Sequence, residues 1–163
     1  MGSLNGAIRE YTELLEKGEL QKAYRGILAF MSSLARRLGD KYPSYSIGAL
    51  YPGLMDMSYF AFTPPELKDR KLKIAIVYLH GQNRFEIWLG GMNRKVQAEM
   101  IDRLSRQDLG KYSLSQAAPG VDSILESTLA EQADFDHPDD LFEQIEAKAI
   151  PFILDMLTAL NEI

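Results

Sequence analysis

Arg84, Glu86 and Trp88 occupy alternate positions of one short stretch and form the first candidate for chemistry in this chain. Alternate side chains of a strand point to the same face, so these three would lie together. A guanidinium, a carboxylate and an indole offer two polar anchors and a flat apolar surface. Asp56 and Ser58 interrupt an earlier apolar run and could line the same face. We therefore predict a ligand-binding site made of Asp56, Arg84, Glu86 and Trp88.

The same residues leave an enzymatic alternative open. Asp56 and Glu86 are carboxylates on different predicted strands, and acid–base catalysis uses such a pair when burial raises the pKa of one of them. The sequence has no Cys, which excludes thiol nucleophiles and thiolate metal sites, and it has no GxSxG nucleophile elbow. We therefore name no catalytic residue. Our first hypothesis is a non-enzymatic module that binds a ligand or a protein, and the alternative is an enzyme for a small anionic substrate.

A second candidate lies where a predicted strand meets a predicted helix, at Gly90, Gly91, Asn93 and Arg94. A helix N-terminus offers free N–H groups and a partial positive charge, which together attract anions. The segment matches neither GxGxxG nor GxxxxGK[ST]. A tight turn followed by an Asn cap explains the same residues without a ligand. An anion site is therefore a second hypothesis for this segment.

The two histidines do not suggest a metal site. His80 stands beside a predicted turn, and His137 lies among aspartates where a helix is predicted to begin. Acidic residues favour a helix start because they complement its dipole, and their spacing here is not that of an EF-hand. We therefore predict neither a metal nor another cofactor.

Composition and charge limit the classes of partner. The chain is 46% hydrophobic and 25% charged, as is usual for globular proteins, and its formal net charge is −5. Nucleic-acid binding requires clustered cations, so this charge argues against it. No apolar run approaches the ~20 residues of a membrane helix, and the N-terminal pattern is not that of a signal peptide. We expect one domain over residues 1–163, a cytoplasmic location, and a small molecule or protein as partner, with a homodimer left open.

A predicted β-hairpin positions the first candidate site. Two apolar runs flank Gly81-Gln82, which fits a two-residue type II′ turn that would set His80 opposite Asn83. Directly opposed residues share a face, and this register places six apolar residues on the core face. They are Ile74, Ile76, Tyr78, Phe85, Ile87 and Leu89. The other face then carries Arg84, Glu86 and Trp88.

Periodicity predicts the remaining elements. We place helices at Ser3–Lys17, Glu19–Lys41, Asn93–Gln107 and Asp139–Glu162. We place strands at Ser44–Tyr51, Leu54–Phe62, Leu72–His80 and Arg84–Leu89. Gly90-Gly91 is predicted to turn the chain into the third helix, and residues 109–121 are predicted to be a loop.

The order of the elements predicts an α+β fold. Asp122–Ala130 alternates loosely and also fits a helix, and we assign it as a fifth strand. Four consecutive strands on short connections imply antiparallel pairing. We therefore predict the order α-α-β-β-β-β-α-β-α, with a mainly antiparallel sheet of about five strands and helices packed on it.

The central part of the chain resembles an uncharacterised bacterial family of domains of unknown function. The resemblance rests on two segments, MDMSYFAFTPPELKDRKLKIAIVYLH and RFEIWLGGMNRKVQ. It extends over almost the whole chain and favours a strand at Asp122–Ala130. It implies no activity, no cofactor and no catalytic residue.

Overall fold

A computed structural model describes residues 2–109, 112–116 and 118–161 of the chain. The helices are α1 (Leu4–Glu16), α2 (Glu19–Lys41), α3 (Pro65–Lys68), α4 (Arg94–Leu104) and α5 (Pro138–Asn161). The strands are β1 (Ser46–Ile47), β2 (Met57–Thr63), β3 (Leu72–Leu79), β4 (Arg84–Gly91), β5 (Ser113–Leu114) and β6 (Ser123–Ala130). No helix in these ranges combines the length and the hydropathy needed to cross a lipid bilayer.

The strands form one sheet in the order β1-β2-β3-β4-β6-β5, and every neighbouring pair is antiparallel. The predicted α+β class is confirmed, and so is the strand at Ser123–Ala130. The sheet has six strands where we expected about five. The additional strand, β5, lies in the segment predicted to be a loop, because two residues are too short to show alternation.

The hairpin of β3 and β4 has the predicted register but a different turn. The last pair is Leu79–Arg84, so the connection has four residues and His80 is not paired with Asn83. The chain makes a 3-10 turn and then reverses through Asn83, at φ 47°. The prediction of a type II′ turn is therefore wrong. Such a turn requires a positive φ at its first central residue, and Gly81 has none. Asn tolerates the left-handed region, so it can take the place that we gave to glycine.

The first two strands are shorter than predicted. Only two residues of the first strand pair with β2, and a single further bridge joins Tyr51 to Tyr59. Gly53 and Met55 both have left-handed backbones, at φ 68° and φ 65°, which interrupts the extended chain before Met57. The apolar pattern alone does not reveal such local reversals.

The core lies on one face of the sheet, where α2 and α5 pack. All six residues of the predicted core face are buried there. They contact Met31, Leu34 and Leu38 of α2 and the apolar side of α5. The opposite face, which we call the open face, carries partly exposed side chains, namely Met57, Tyr59, Ala61, Ala75 and Trp88.

Strand β4 runs directly into the start of α4, and the two meet at Gly91. Gly90 and Gly91 are the last residues of β4 and not a turn, which corrects the prediction. A Cβ atom at Gly91 would lie 2.7 Å from the backbone nitrogen of Gln97 and 3.1 Å from the carbonyl oxygen of Asn93. Glycine is needed here because α4 approaches the strand closely.

We predict that Gly91→Ala lowers the free energy of unfolding by about 1–3 kcal/mol, because the backbone of α4 must move. The matched control is Gly81→Ala. A Cβ at Gly81 has no neighbour within 4 Å, and its φ is not positive. It should change stability by less than about 1 kcal/mol, in either direction. Urea denaturation measures both, and an equal loss in the two variants would contradict the close approach at Gly91.

Candidate functional site

A row of small residues on the open face leads to Trp88. Ala61 pairs with Ala75, and Ala75 pairs with Trp88. Directly opposed side chains lie on the same face, so the two alanines leave space beside the indole. The space is a cavity of about 400 Å³. Cavities of this size are typical of small-molecule sites.

The cavity has an apolar floor and one polar end. Tyr59, Val77 and Trp88 contribute to the floor. The polar end is formed by Lys73, Gly90, Gly91, Asn93, Arg94, Gln97 and Asp122. Trp88 of the first candidate site therefore lines the same cavity as all four residues of the second candidate site. Asp56, Arg84 and Glu86 do not line this cavity.

Arg84, Glu86 and Trp88 lie together as the alternation implied, but their polar groups bind one another. Glu86 is 5% exposed, and its Oε1 accepts a hydrogen bond of 2.8 Å from the Trp88 Nε1–H. Its Oε2 lies 2.7 Å from Nη2 of Arg84. Both carboxylate oxygens therefore have partners. The consequence of this arrangement is that Glu86 fixes the orientation of the indole in the cavity floor.

Asp56 lies in an exposed loop and stabilises that loop. Its Oδ1 accepts a hydrogen bond of 2.9 Å from the backbone N–H of Leu54, and its carbonyl oxygen accepts one of 3.0 Å from His80. Hydrogen bonds from backbone N–H groups, first that of Leu54, lower the pKa of Asp56. Asp56 contacts Leu54 and His80, whereas Glu86 contacts Trp88 and Arg84. No shared partner therefore brings the two carboxylates of the predicted pair together.

Ser58 and His80 form a polar pair, and neither residue is among the predicted site residues. The Ser58 hydroxyl donates to the carbonyl oxygen of Pro52 at 2.5 Å, so its oxygen accepts from His80 Nε2 at 2.8 Å. A catalytic serine instead donates to its histidine. Ser58 is also fully buried, so the pair connects β2 to the hairpin turn. The signal in the sequence is a serine within the apolar run of β2.

The guanidinium of Arg94 is held by its neighbours. It donates to Gln97 Oε1 at 2.9 Å, lies 3.1 Å from Oδ1 of Asp122, and also donates to the carbonyl oxygen of Val121. The Asn93 side chain accepts from the Val96 N–H at 2.9 Å, which confirms Asn93 as the N-cap of α4. The positive charge of Arg94 is thus offset by Asp122.

Lys73 is a third residue that is not among the predicted site residues. Its aliphatic stem packs beside Gly90, and its side chain lines the polar end of the cavity. Within the described ranges its ammonium group has no carboxylate within ion-pair distance, since the salt bridges there involve other cations. The signal in the sequence is its position two residues before Ala75, which places it on the open face.

The remaining histidine, His137, directly precedes α5 and does not line the cavity. Its Nδ1 is 2.8 Å from Oδ2 of Asp134, and both side chains are exposed. This hydrogen bond raises the pKa of His137. For the part of the chain with described coordinates, no three His, Asp or Glu residues are grouped so that they could hold a metal ion.

Residues 4–160 match the family described as a domain of unknown function, DUF7000. The chain belongs to this family. The match covers nearly the whole sequence and confirms the resemblance to an uncharacterised domain family, from which no activity can be transferred. No curated protein and no solved structure matches the chain. Any function of this DUF7000 chain must therefore rest on the geometry of its own residues.

We predict that the two histidines titrate on opposite sides of the usual pKa of about 6.5. Burial lowers the pKa of His80, whereas the hydrogen bond to Asp134 raises that of His137. NMR titration of the imidazole signals resolves both. Because the unfolded chain protonates His80 more readily, its contribution to stability is complete above about pH 6.5 and falls as the pH drops below that value. The reverse order of midpoints would contradict the burial of the His80 ring as the cause of its lowered pKa.

We predict that Glu86→Ala lowers the free energy of unfolding by about 2–4 kcal/mol, because Arg84 and the Trp88 indole both lose their partner. Glu86→Gln retains an oxygen that accepts from the indole and should cost less. Glu99→Ala, at an exposed position of α4, is the control and should cost under about 0.5 kcal/mol. Chemical denaturation followed by circular dichroism gives the three values. Similar losses for Glu86→Ala and Glu99→Ala would show that the buried contacts are unimportant.

Proposed function

We propose that this DUF7000 chain is a non-enzymatic binding module for a small, flat, apolar molecule that carries an anionic group. The observation that supports this is the composition of the open-face cavity. A partly exposed indole lies in its floor, and at its polar end stands the Lys73 ammonium group, which has no carboxylate partner among the described residues. The ring of the ligand would contact Trp88, and its anionic group would contact Lys73.

The floor favours a flat apolar ligand. Ala61 and Ala75 project little from the sheet, so a ring can lie beside Trp88 without displacing a side chain. Aromatic rings interact favourably in offset and edge-to-face arrangements. The hydrogen bond to Glu86 already orients the indole, so binding loses little conformational freedom at this residue.

The polar end favours an anionic group. Lys73 contributes a positive charge that forms no ion pair with another described residue, whereas Arg94 and Asp122 largely neutralise each other. The N-terminus of α4 adds partial positive charge at the same end. An anion there would gain charge-assisted hydrogen bonds, which are stronger than those between neutral groups.

These contacts favour binding over the enzymatic alternative. An enzyme that used Asp56 and Glu86 would need both carboxylates free to contact one substrate. Glu86 instead binds Trp88 and Arg84, and Asp56 binds the backbone of its own loop. Among the described residues that line the cavity, Asp122 carries the one carboxylate, and it pairs with Arg94.

We predict that 2-naphthoate binds at Trp88 at least about fivefold more tightly than the uncharged 2-naphthalenemethanol, a difference of about 1 kcal/mol. The chain has one Trp, so its indole N–H gives a single NMR signal to follow. Lys73→Met should weaken binding of the naphthoate but not of the alcohol. Ala75→Phe should abolish the binding of both, because the new ring fills the cavity.

The matched control is Ala23→Phe, an exposed position of α2 outside the cavity. It should bind both compounds like the unmodified protein. The proposal is wrong if neither compound shifts the Trp88 signal, or if binding survives Ala75→Phe. Equal affinity for the two compounds would disprove the role of Lys73.

A further inference from the structure

Helix α1 presents its apolar side to solvent. No residue of α1 is buried, and Leu4, Ile8, Tyr11 and Leu14 are 76%, 49%, 54% and 43% exposed. Among the described helical residues, Leu154 is the only other large hydrophobic residue so exposed. Soluble monomers rarely expose an apolar patch of this kind unless another molecule covers it.

The spacing within this patch is that of a helix-pairing seam. Leu4, Ile8 and Tyr11 of the patch and the partly buried Leu15 follow one another at intervals of four, three and four residues, which is the a/d pattern of a heptad. The positions that flank this seam are all uncharged, namely Asn5, Ala7, Thr12 and Leu14. The charged residues lie on the other side of the helix, at Arg9, Glu10, Glu13 and Glu16. The centres of protein interfaces are depleted of charge in the same way.

We propose that α1 pairs with α1 of a second copy of this chain, antiparallel and about a two-fold axis between Arg9 and Glu10. In this register Leu4 faces the partner's Leu15, and Ile8 faces the partner's Tyr11, so the same two layers occur on each side of the axis. Antiparallel pairing sets opposite ends of the helix dipoles side by side.

The size of the seam sets the strength of this dimer. The exposed seam residues Leu4, Ile8 and Tyr11 and the flanking Leu14 together offer roughly 400 Å² per copy, if a large side chain has about 200 Å² of accessible surface. Two copies would bury roughly 800 Å², below the ~1,200 Å² at which standard interfaces begin. The dimer is therefore weak, and its population depends on concentration. Because α1 does not line the open-face cavity, this inference is independent of the proposed ligand.

Sedimentation equilibrium between about 5 and 500 µM tests the pairing, because a small interface dissociates within such a range. We expect the average mass of the unmodified protein to rise towards that of two chains. Ile8→Glu should stay at the mass of one chain with an unchanged circular dichroism spectrum, since Ile8 is not part of the core. Leu154→Glu removes a comparably exposed apolar side chain from α5 and should behave like the unmodified protein.

Crosslinking tests the register, and the absence of cysteine from the chain leaves no background. An equal mixture of Leu4→Cys and Leu15→Cys should form a covalent dimer with a short bis-maleimide. Leu4→Cys alone should not, because the two thiols would be about 16 Å apart along the axis.

Three results would overturn the proposal. The first is a mass that does not rise with concentration, or a dimer that persists in Ile8→Glu. The second is crosslinking of Leu4→Cys alone, which indicates parallel pairing. The third is loss of the dimer in Ala75→Phe as well as in Ile8→Glu, which indicates that α1 packs on the open face of the second copy.

Discussion

The pairing of β3 with β4 is the interaction on which the rest of this structure depends. Eight residue pairs hold the two strands, and a slip by one residue would turn Ile76 and Ile87 out of the core. One face of this pair is closed by α2 and α5. The other face brings Ala75 beside Trp88 and so creates the cavity. Core and candidate site are therefore two results of a single register.

The open face carries a buried carboxylate, that of Glu86, which orients the indole of Trp88. Burial of Glu86 is unfavourable unless its oxygens are paired, and Arg84 and Trp88 pair them. The pairing leaves the flat side of the indole available while its N–H is bound. Glycine at position 91 lets α4 start close to the sheet, so the helix N-terminus and Lys73 border the same cavity. Orientation of the ring and placement of the charge thus have separate structural causes.

Much of this architecture could be predicted from local patterns. Alternation identified the buried face of the hairpin, and helical spacing identified α2 without error in its bounds. The turn was misjudged because Asn83 adopts a backbone that we expected only of glycine. The strand β5 was missed because its two residues are too few to show an alternating pattern. The candidate site was predicted in part, since Trp88 lines the cavity, whereas Asp56 binds its own loop and Lys73 was not chosen as a site residue.

The sequence by itself determined which side chains share a face, because the period of a strand or a helix is a local property of the chain. It determined the two faces of β4 and the apolar seam of α1 in this way. Only the tertiary structure decided which polar groups meet. Ser58 and His80 are 22 residues apart, and Arg94 and Asp122 are 28 residues apart. Their contacts depend on left-handed loop residues and on close packing at Gly91, and a single sequence shows neither until the chain is folded.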